Sequence, residues 1–261
     1  MGLFSEAKAQ LNAQKANRAH VAGNEAASAG RLEEAREKYR QAYSHYEAAV
    51  KDDPQKAAIH QSFAILLMRL GEFDRAKAIM ERIRLMKNLT PDDWFELRLN
   101  YSVCLWKEGR LDDAIATARR AGQIKRSVAL YNTLGMYLVD KAKQTGDFAE
   151  LEAFNRESMD YDDEDAGLLD NMGGMYEARS LFADDPGPDR EKAKEYYARA
   201  HKIKPRQITT TYTLARMYHE DGQDDLARKT LEGTEDLYYS AICSVSRDMM
   251  EDLKREVGFE R

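Results

Sequence analysis

The sequence predicts an all-α protein built from successive helical hairpins, and three observations lead to this prediction. In Glu191–Thr230, small and aromatic residues recur three or four positions apart, as on one packed face of a helix. The same spacing recurs along nearly the whole chain of 261 residues. All five prolines fall between the predicted helices, where they avoid the ~3 kcal/mol penalty of a helix interior.

The stretch Glu191–Thr230 shows how one hairpin is encoded. Its first helix ends at Pro205, and Gly222 ends the second because glycine adopts positive φ without strain. Small residues let neighbouring helices approach closely, and larger side chains fill the gaps between them. The packed positions are Ala193, Tyr197, Ala200, Leu214, Ala215, Tyr218 and Ala227, and Leu231 continues the pattern directly after the stretch.

These residues resemble the tetratricopeptide repeat (TPR), a helix–turn–helix unit of about 34 residues. The unit that begins at Ile208 places Leu214 and Ala215 at the Leu-Gly pair of that pattern and Tyr218 at its tyrosine. Extended over the chain, the resemblance implies a right-handed helical-hairpin solenoid of about six TPR-like repeats with a C-terminal capping helix. The predicted repeats span residues 16–54, 57–90, 95–127, 128–163, 166–205 and 208–241; with a cap over residues 242–261 they form a single solenoid, residues 1–261.

Start and stop signals mark the predicted helices in chain order. The first helix is expected to stop at Gly30. Thr90 and Pro91 predict the start of the fifth helix, with a capping hydroxyl and a proline at the first position. Gly146 predicts the end of a lengthened seventh helix, and the polar segment 184–189 predicts a rigid loop between the two helices of repeat five.

The stretch after Gly233 is predicted to form a further amphipathic helix, or a broken pair of helices, that covers the last repeat. Its apolar residues recur at helical spacing up to about Val257. They are Tyr238, Tyr239, Ile242, Val245, Met249 and Leu253.

Composition excludes several classes of protein. The net charge of −6 opposes binding to nucleic-acid phosphates and to anionic membranes. Cys104 and Cys243 are too few and too far apart to suggest a disulfide framework or a zinc site. No apolar run approaches the ~18 residues of a membrane span, and the N-terminus lacks the features of a secretory signal. We therefore expect a cytoplasmic protein with no nucleic-acid or membrane partner.

The residues that commonly carry catalysis or bind metals form no recognisable site. Asp160–Asp165 lacks the glycine and glutamate that a calcium-binding loop of the EF-hand type requires. Gly173 and Gly174 lie in a predicted helix, where close helix packing explains a glycine better than phosphate binding does. The sequence therefore predicts no enzyme, no cofactor and no metal. The histidines, which show no paired spacing, are His20, His45, His60, His201 and His219.

The resemblance also predicts where a ligand binds, because the first helices of stacked TPR hairpins line a concave groove. Asparagine recurs at these positions, where its amide could pair with the backbone of an extended peptide. The predicted groove residues are Asn24, Arg69, Asn100, Trp106, Lys107, Asn132, Asp140, Asn171, Arg216 and Glu220.

The predicted function is a non-catalytic scaffold or adaptor that binds a protein or peptide in this groove. One alternative is a regulator that senses a short signalling peptide, and another is a helical-repeat protein of RNA processing, which the acidic balance disfavours. Arg69 and Lys107 share a repeat position with Asp140 and Glu220. This charge separation predicts one preferred orientation for an extended ligand.

Overall fold

A computed structural model of the protein describes residues 3–51 and 54–259, except for the side chains of residues 3–5. Within these residues the chain forms thirteen α-helices and no strand, so the predicted all-α helical-repeat solenoid is confirmed. The helices are α1 (Leu3–Ser28), α2 (Leu32–Lys51), α3 (Ala57–Leu70), α4 (Phe73–Arg84), α5 (Pro91–Lys107), α6 (Leu111–Gly122), α7 (Val128–Thr145), α8 (Ala149–Tyr161), α9 (Ala166–Ser180), α10 (Gly187–Ile203), α11 (Ile208–Glu220), α12 (Asp224–Leu231) and α13 (Arg247–Glu256).

The chain divides into two compact units, and unit 1 comprises Met1–Arg110 together with Asp236–Ile242. In unit 1, α1 packs along α2, α3 packs against α4, and α5 packs against both α3 and α4. Its core buries Tyr39, Tyr46 and Phe63, and the last two rings stack with centroids 5.6 Å apart. Large aromatic side chains bury much apolar area per residue, so they stabilise this core strongly.

Unit 2 comprises Leu111–Glu235 and Cys243–Arg261. Here α7 packs against α6, α8 and α9, while α9 also packs against α10, and α11 packs against α10, α12 and α13. At Gly173 an added Cβ would lie 2.8 Å from the Tyr197 ring, closer than real Cβ contacts allow. The expected packing role of a glycine in this helix is therefore confirmed.

The predicted signals at Thr90, Pro91 and Gly146 are confirmed. The Thr90 hydroxyl accepts a hydrogen bond from the Asp93 backbone N–H (3.1 Å), and the Asp93 carboxylate accepts one from the Thr90 N–H (2.9 Å). Pro91 occupies the first position of α5, as predicted. Gly146 has a φ of 72°, the left-handed conformation that ends α7. The predicted loop over residues 184–189 is wrong in its second half, because α10 begins at Gly187 and takes Pro188 into its first turn, where a proline costs no helix hydrogen bond. The division into six repeats along residues 1–261 stays a prediction.

Replacing Thr90 with alanine should lower the free energy of unfolding by about 1 kcal/mol, because the cap at the start of α5 is lost. Chemical denaturation followed by circular dichroism measures this change. Ser28, which is exposed in the last turn of α1, provides the control: Ser28→Ala should leave the stability within a few tenths of a kcal/mol. An equal change for both variants would contradict the capping role.

The C-terminal stretch differs from the prediction. Residues 232–246 form no helix, so the expectation that Tyr238, Tyr239 and Ile242 lie on an amphipathic helix is wrong. Tyr238 and Ile242 instead pack against the core of unit 1, and tertiary burial overrides their helical spacing. The C-terminal helix that follows, α13, begins only at Arg247.

Candidate binding sites

Charged side chains from α7, α9 and α11 meet on one face of unit 2. Glu177 of α9 lies between two cations: Lys143 Nζ is 3.1 Å from one carboxylate oxygen, and Arg216 donates to the other. Arg216 also donates to Glu220, one turn further along α11, and Arg190 lies 3.1 Å from Glu220. Lys143, Glu177, Arg216 and Glu220 are called the Glu177 network below.

Burial and neighbouring charges shift the pKa values on this face. Burial disfavours the ionised form of Glu177, but Lys143 and Arg216 outweigh it and hold the pKa of Glu177 below its usual range. Burial raises the pKa of Asp170, two turns earlier in α9, to about 6, although the Thr210 hydroxyl donates to its carboxylate. The face therefore combines a firmly ionised carboxylate with one that titrates near neutral pH.

The predicted asparagines of α7 and α9 bind to neighbouring parts of the protein. Asn171 is only 6% exposed, and its amide donates to the backbone carbonyls of Tyr131 (3.3 Å) and Asn132 (3.2 Å). The Asn132 amide donates in turn to Asp165 Oδ1 at 3.2 Å. Because its amide is buried and already hydrogen-bonded, Asn171 holds α9 against α7, and we assign it to helix packing rather than to ligand contact.

In unit 1, Tyr39 brings two of the predicted residues together. Its hydroxyl donates to Asn24 Oδ1 at 2.9 Å, and the Arg69 guanidinium lies 5.5 Å from the centroid of its ring. Burial raises the pKa of Tyr39, although the charge of Arg69 opposes the shift. Tyr39 is therefore a buried core residue of α2 whose hydroxyl and ring also make polar contacts.

The other predicted residues lie on α5 and α7. Trp106 and Lys107 are neighbours, with Lys107 Nζ 4.7 Å from the centroid of the Trp106 ring, and both are half-buried. Asn100 of α5 and Asp140 of α7 are also half-buried. The structure thus brings together four pairs of predicted residues: Asn24 with Arg69, Trp106 with Lys107, Asn132 with Asn171, and Arg216 with Glu220.

Sequence reasoning missed two members of the charged face and misjudged its charge. Lys143 is absent from the predicted groove residues, although it lies three positions after Asp140 and so shares its side of α7. The sequence placed Thr210 in a helix, but nothing in it indicated the hydrogen bond to Asp170. The expected acidic region near Glu220 is neutralised, because Arg190 and Arg216 both pair with this carboxylate.

A cleft of 390 Å³ lies between α8, α9 and α10 in unit 2. The Tyr176 and Tyr196 rings stack there with centroids 5.6 Å apart, and Arg179 covers the Tyr176 ring at 5.4 Å. Arg179 is itself held by Glu152 and Asp189, each at 3.1 Å. The aromatic and charged groups of this cleft contact one another, as expected of packing between hairpins.

The described residues include no group of three or more His, Cys, Asp or Glu side chains that could hold a metal ion. Burial raises the pKa of the Cys104 thiol to about 12, so this thiol is not a nucleophile at neutral pH. Over residues 3–51 and 54–259, every helix is too short or too polar to cross a membrane.

Residues 26–92 match the tetratricopeptide repeat family, and they span α2, α3 and α4 with the intervening turns. The tetratricopeptide repeat is thus recognised over about a quarter of the chain. No curated protein matches it. The tetratricopeptide-repeat fold supports a protein-binding role in general terms, and proteins of this fold are typically non-catalytic scaffolds.

Several solved structures share this fold. The type IV pilus biogenesis factor PilW is similar over 91% of this chain and 98% of its own, with a TM-score of 0.59 and 16% identity. A thermophilic TPR protein of Thermus thermophilus is similar over 76% of this chain and 100% of its own, with a TM-score of 0.52 and 17% identity.

Human IFIT1, in a dimer with m7Gppp-AAAA, is similar over 76% of this chain and 45% of its own, with a TM-score of 0.58 and 17% identity. This chain spans about half the length of the IFIT1 chains that it matches. At 15–17% identity these likenesses show the shared fold alone.

Proposed function

We propose that this protein is a non-catalytic scaffold that binds a protein or peptide segment on the face formed by α7, α9 and α11. The Glu177 network carries this proposal. It brings ionisable side chains from three helices to one partly buried place, with Lys143, Glu177 and Arg216 in direct contact. Ion pairs of this kind stabilise a fold weakly because desolvation offsets their attraction. Clusters with perturbed pKa values are instead common at functional sites.

The dimensions of this face suit an extended segment. Packed helices lie ~8–10 Å apart, so three helices in succession span roughly 20 Å. An extended peptide rises by about 3.3–3.6 Å per residue, and about six residues would cross the face. The network offers donors and acceptors to such a backbone, since Arg216 presents a planar fork of N–H groups and Glu220 is exposed.

Photo-crosslinking can locate the ligand. Thr213 lies three residues before Arg216 and seven before Glu220, so it shares their side of α11. A photoreactive amino acid at Thr213 should capture a protein or peptide from a native lysate. The same group at exposed Lys229 of α12 serves as the matched control. Arg216→Ala should reduce capture from position 213 at least tenfold, because a charged contact is lost, while the helical signal is retained.

The identity of the captured species separates the candidate functions. A folded protein supports the scaffold, and a short peptide supports a regulator that senses a signalling peptide. An RNA such as the m7Gppp-AAAA seen with human IFIT1 would instead support the third candidate; the net charge of −6 opposes it. Equal capture at positions 213 and 229, or capture that ignores Arg216→Ala, would contradict binding on this face.

A further inference from the structure

A segment from the far end of the chain belongs to unit 1. Asp236–Ile242 joins Met1–Arg110 in one compact unit, although more than a hundred residues separate them in sequence. The segment forms no helix, and residues 232–235 and 243–246 on either side of it are also irregular. Leu237 is only 3% exposed, so its buried side chain anchors the segment.

The segment packs on the tyrosine and arginine already described in unit 1. The Tyr238 ring lies 5.2 Å from the Tyr39 ring, centroid to centroid, at an angle of 58°. The Arg69 guanidinium lies 5.5 Å from the centroid of the Tyr39 ring. Burial raises the pKa of Tyr238, while the charges of Arg69 and Arg36 oppose the shift.

The backbone of the segment is bound as well. The Ala241 N–H donates to the Arg69 carbonyl at 3.0 Å. This carbonyl is in the last turn of α3, where no residue of the helix can donate to it, so it accepts from the irregular segment instead. Gly71 follows at once, and a Cβ there would come within 3.2 Å of Ala241. Glycine therefore leaves room for a small residue of the bound segment.

The acidic end of the segment packs against a second glycine turn, in addition to the one at Gly71. The Asp236 carboxylate lies against Gly30 in the turn between α1 and α2, where any added Cβ would overlap it. Two glycine turns, one carbonyl at a helix end and a tyrosine–arginine pair thus form one receptor surface. We call it the Arg69 site; it comprises Asn24, Gly30, Tyr39, Arg69 and Gly71.

We propose that the Arg69 site is a recognition site for a non-helical segment of the pattern Asp-Leu-Tyr-x-x-Ala, and that residues 236–242 are its resident occupant. A partner protein that carries this pattern binds by displacing the chain's own segment. The pattern follows from the contacts: an acidic residue at the Gly30 turn, a buried leucine, a tyrosine on Tyr39, and a small residue three positions later at Gly71. This site is distinct from the α7–α9–α11 face, and the proposal does not depend on binding there.

The intramolecular segment must compete with any partner. A tethered segment acts at an effective concentration on the order of millimolar, so a free peptide should bind the native chain weakly. Irregular segments open locally at lower free energy than core helices do, and both flanks of residues 236–242 are irregular. Weakening the resident segment should therefore open the site to a peptide added in solution.

A fluorescent peptide with the sequence of residues 235–242 provides the test, with a scrambled peptide as control. Fluorescence anisotropy should show that the full-length Tyr238→Ala chain binds it at least ten times more tightly than the native chain does. Adding Arg69→Glu to Tyr238→Ala should abolish this gain. Arg82→Glu, an equal charge reversal at an exposed position of α4, should not. Equal affinity for the native and Tyr238→Ala chains, or a gain that survives Arg69→Glu, would overturn the proposal.

Hydrogen–deuterium exchange tests displacement without any substitution. Millimolar peptide added to the native chain should increase deuterium uptake in residues 236–242, including the Ala241 amide, while α3 stays protected. Unchanged uptake in residues 236–242 at this concentration would overturn the proposal, even if Tyr238→Ala proved too unstable to study. Neither measurement uses Thr213 or Arg216, so this proposal can fail while the scaffold on α7, α9 and α11 stands.

Discussion

Replacing Gly135 with leucine should lower the free energy of unfolding by about 3 kcal/mol or more, one of the largest effects expected of any single substitution in this protein. A Cβ at position 135 would overlap the Asn171 side-chain amide. Displacing this buried amide breaks its hydrogen bonds to the Tyr131 and Asn132 carbonyls and leaves its N–H groups unsatisfied, at about 1–3 kcal/mol. Forcing a leucine between α7 and α9 adds about 1–3 kcal/mol of overpacking.

A double-mutant cycle of Gly135→Ala and Asn171→Ala tests this explanation. The effect of Gly135→Ala on the free energy of unfolding should change sign between the native and the Asn171→Ala backgrounds. In the native chain Gly135→Ala should destabilise, because even a methyl group meets the Asn171 amide. In an Asn171→Ala background the nearest remaining atom is the residue-171 Cβ at 3.5 Å, an ordinary contact. Gly135→Ala should then stabilise by about 0.5–1 kcal/mol, the usual gain when alanine replaces a helical glycine.

Thermal and chemical denaturation of the four chains in the cycle measures the coupling. Ala129→Leu, at an exposed position of the same helix, should change stability by less than about 0.5 kcal/mol. A Gly135→Ala effect of the same sign in both backgrounds would show that Asn171 is not what requires a glycine at this position.

Helix ends and packing positions could be predicted from the sequence because their causes are local. The Thr90 cap and the Gly146 turn depend on residues within one turn of each helix end. Ala215, which was predicted to occupy a small packing position, is fully buried. Each of these features follows from spacing and from the conformational preferences of single residues.

The roles of the polar residues could not be predicted in the same way. The helical spacing places Asn171 on one side of α9. It does not show that the Asn171 amide donates a hydrogen bond to a carbonyl of the neighbouring helix, that of Tyr131. Glu177 and Arg216 pair across 39 positions of sequence, and only the packing of α9 on its neighbours brings them together. The helical spacing of Tyr238 likewise gave no indication of its contact with Tyr39, almost two hundred residues earlier.

Replacing Asp170 with asparagine should raise the free energy of unfolding at neutral pH and have little effect near pH 4. Burial raises the pKa of Asp170 from 3.8 to about 6, while Thr210 and Lys143 favour the ionised form and Glu177 opposes it. Tyr197 of α10 faces the same region, and its own pKa is raised by burial and by the two carboxylates. At pH 7 the folded state therefore holds an ionised carboxylate in a site that favours the neutral form.

The sign of the pH dependence follows from proton binding. Between pH 3.8 and about 6 the folded chain keeps a proton at Asp170 that the unfolded chain releases. The contribution of Asp170 to stability is thus fully present below pH 3.8, declines as pH rises through this window, and is lost above pH 6. A shift of about two pKa units corresponds to roughly 2–3 kcal/mol, and because the side chain is half-buried we expect about 2 kcal/mol.

The difference in unfolding free energy between Asp170→Asn and the native chain isolates this group, because carboxylates with lowered pKa, such as Asp165 and Asp221, titrate equally in both chains. Urea denaturation at half-unit steps from pH 4 to pH 8 should show the difference growing from near zero to about 2 kcal/mol, with its midpoint between pH 5 and pH 6. A difference that stays constant across this range would show that Asp170 is ionised throughout. The face formed by α7, α9 and α11 would then hold two permanent carboxylates on α9, those of Asp170 and Glu177, and a ligand segment would have to present cationic groups to both.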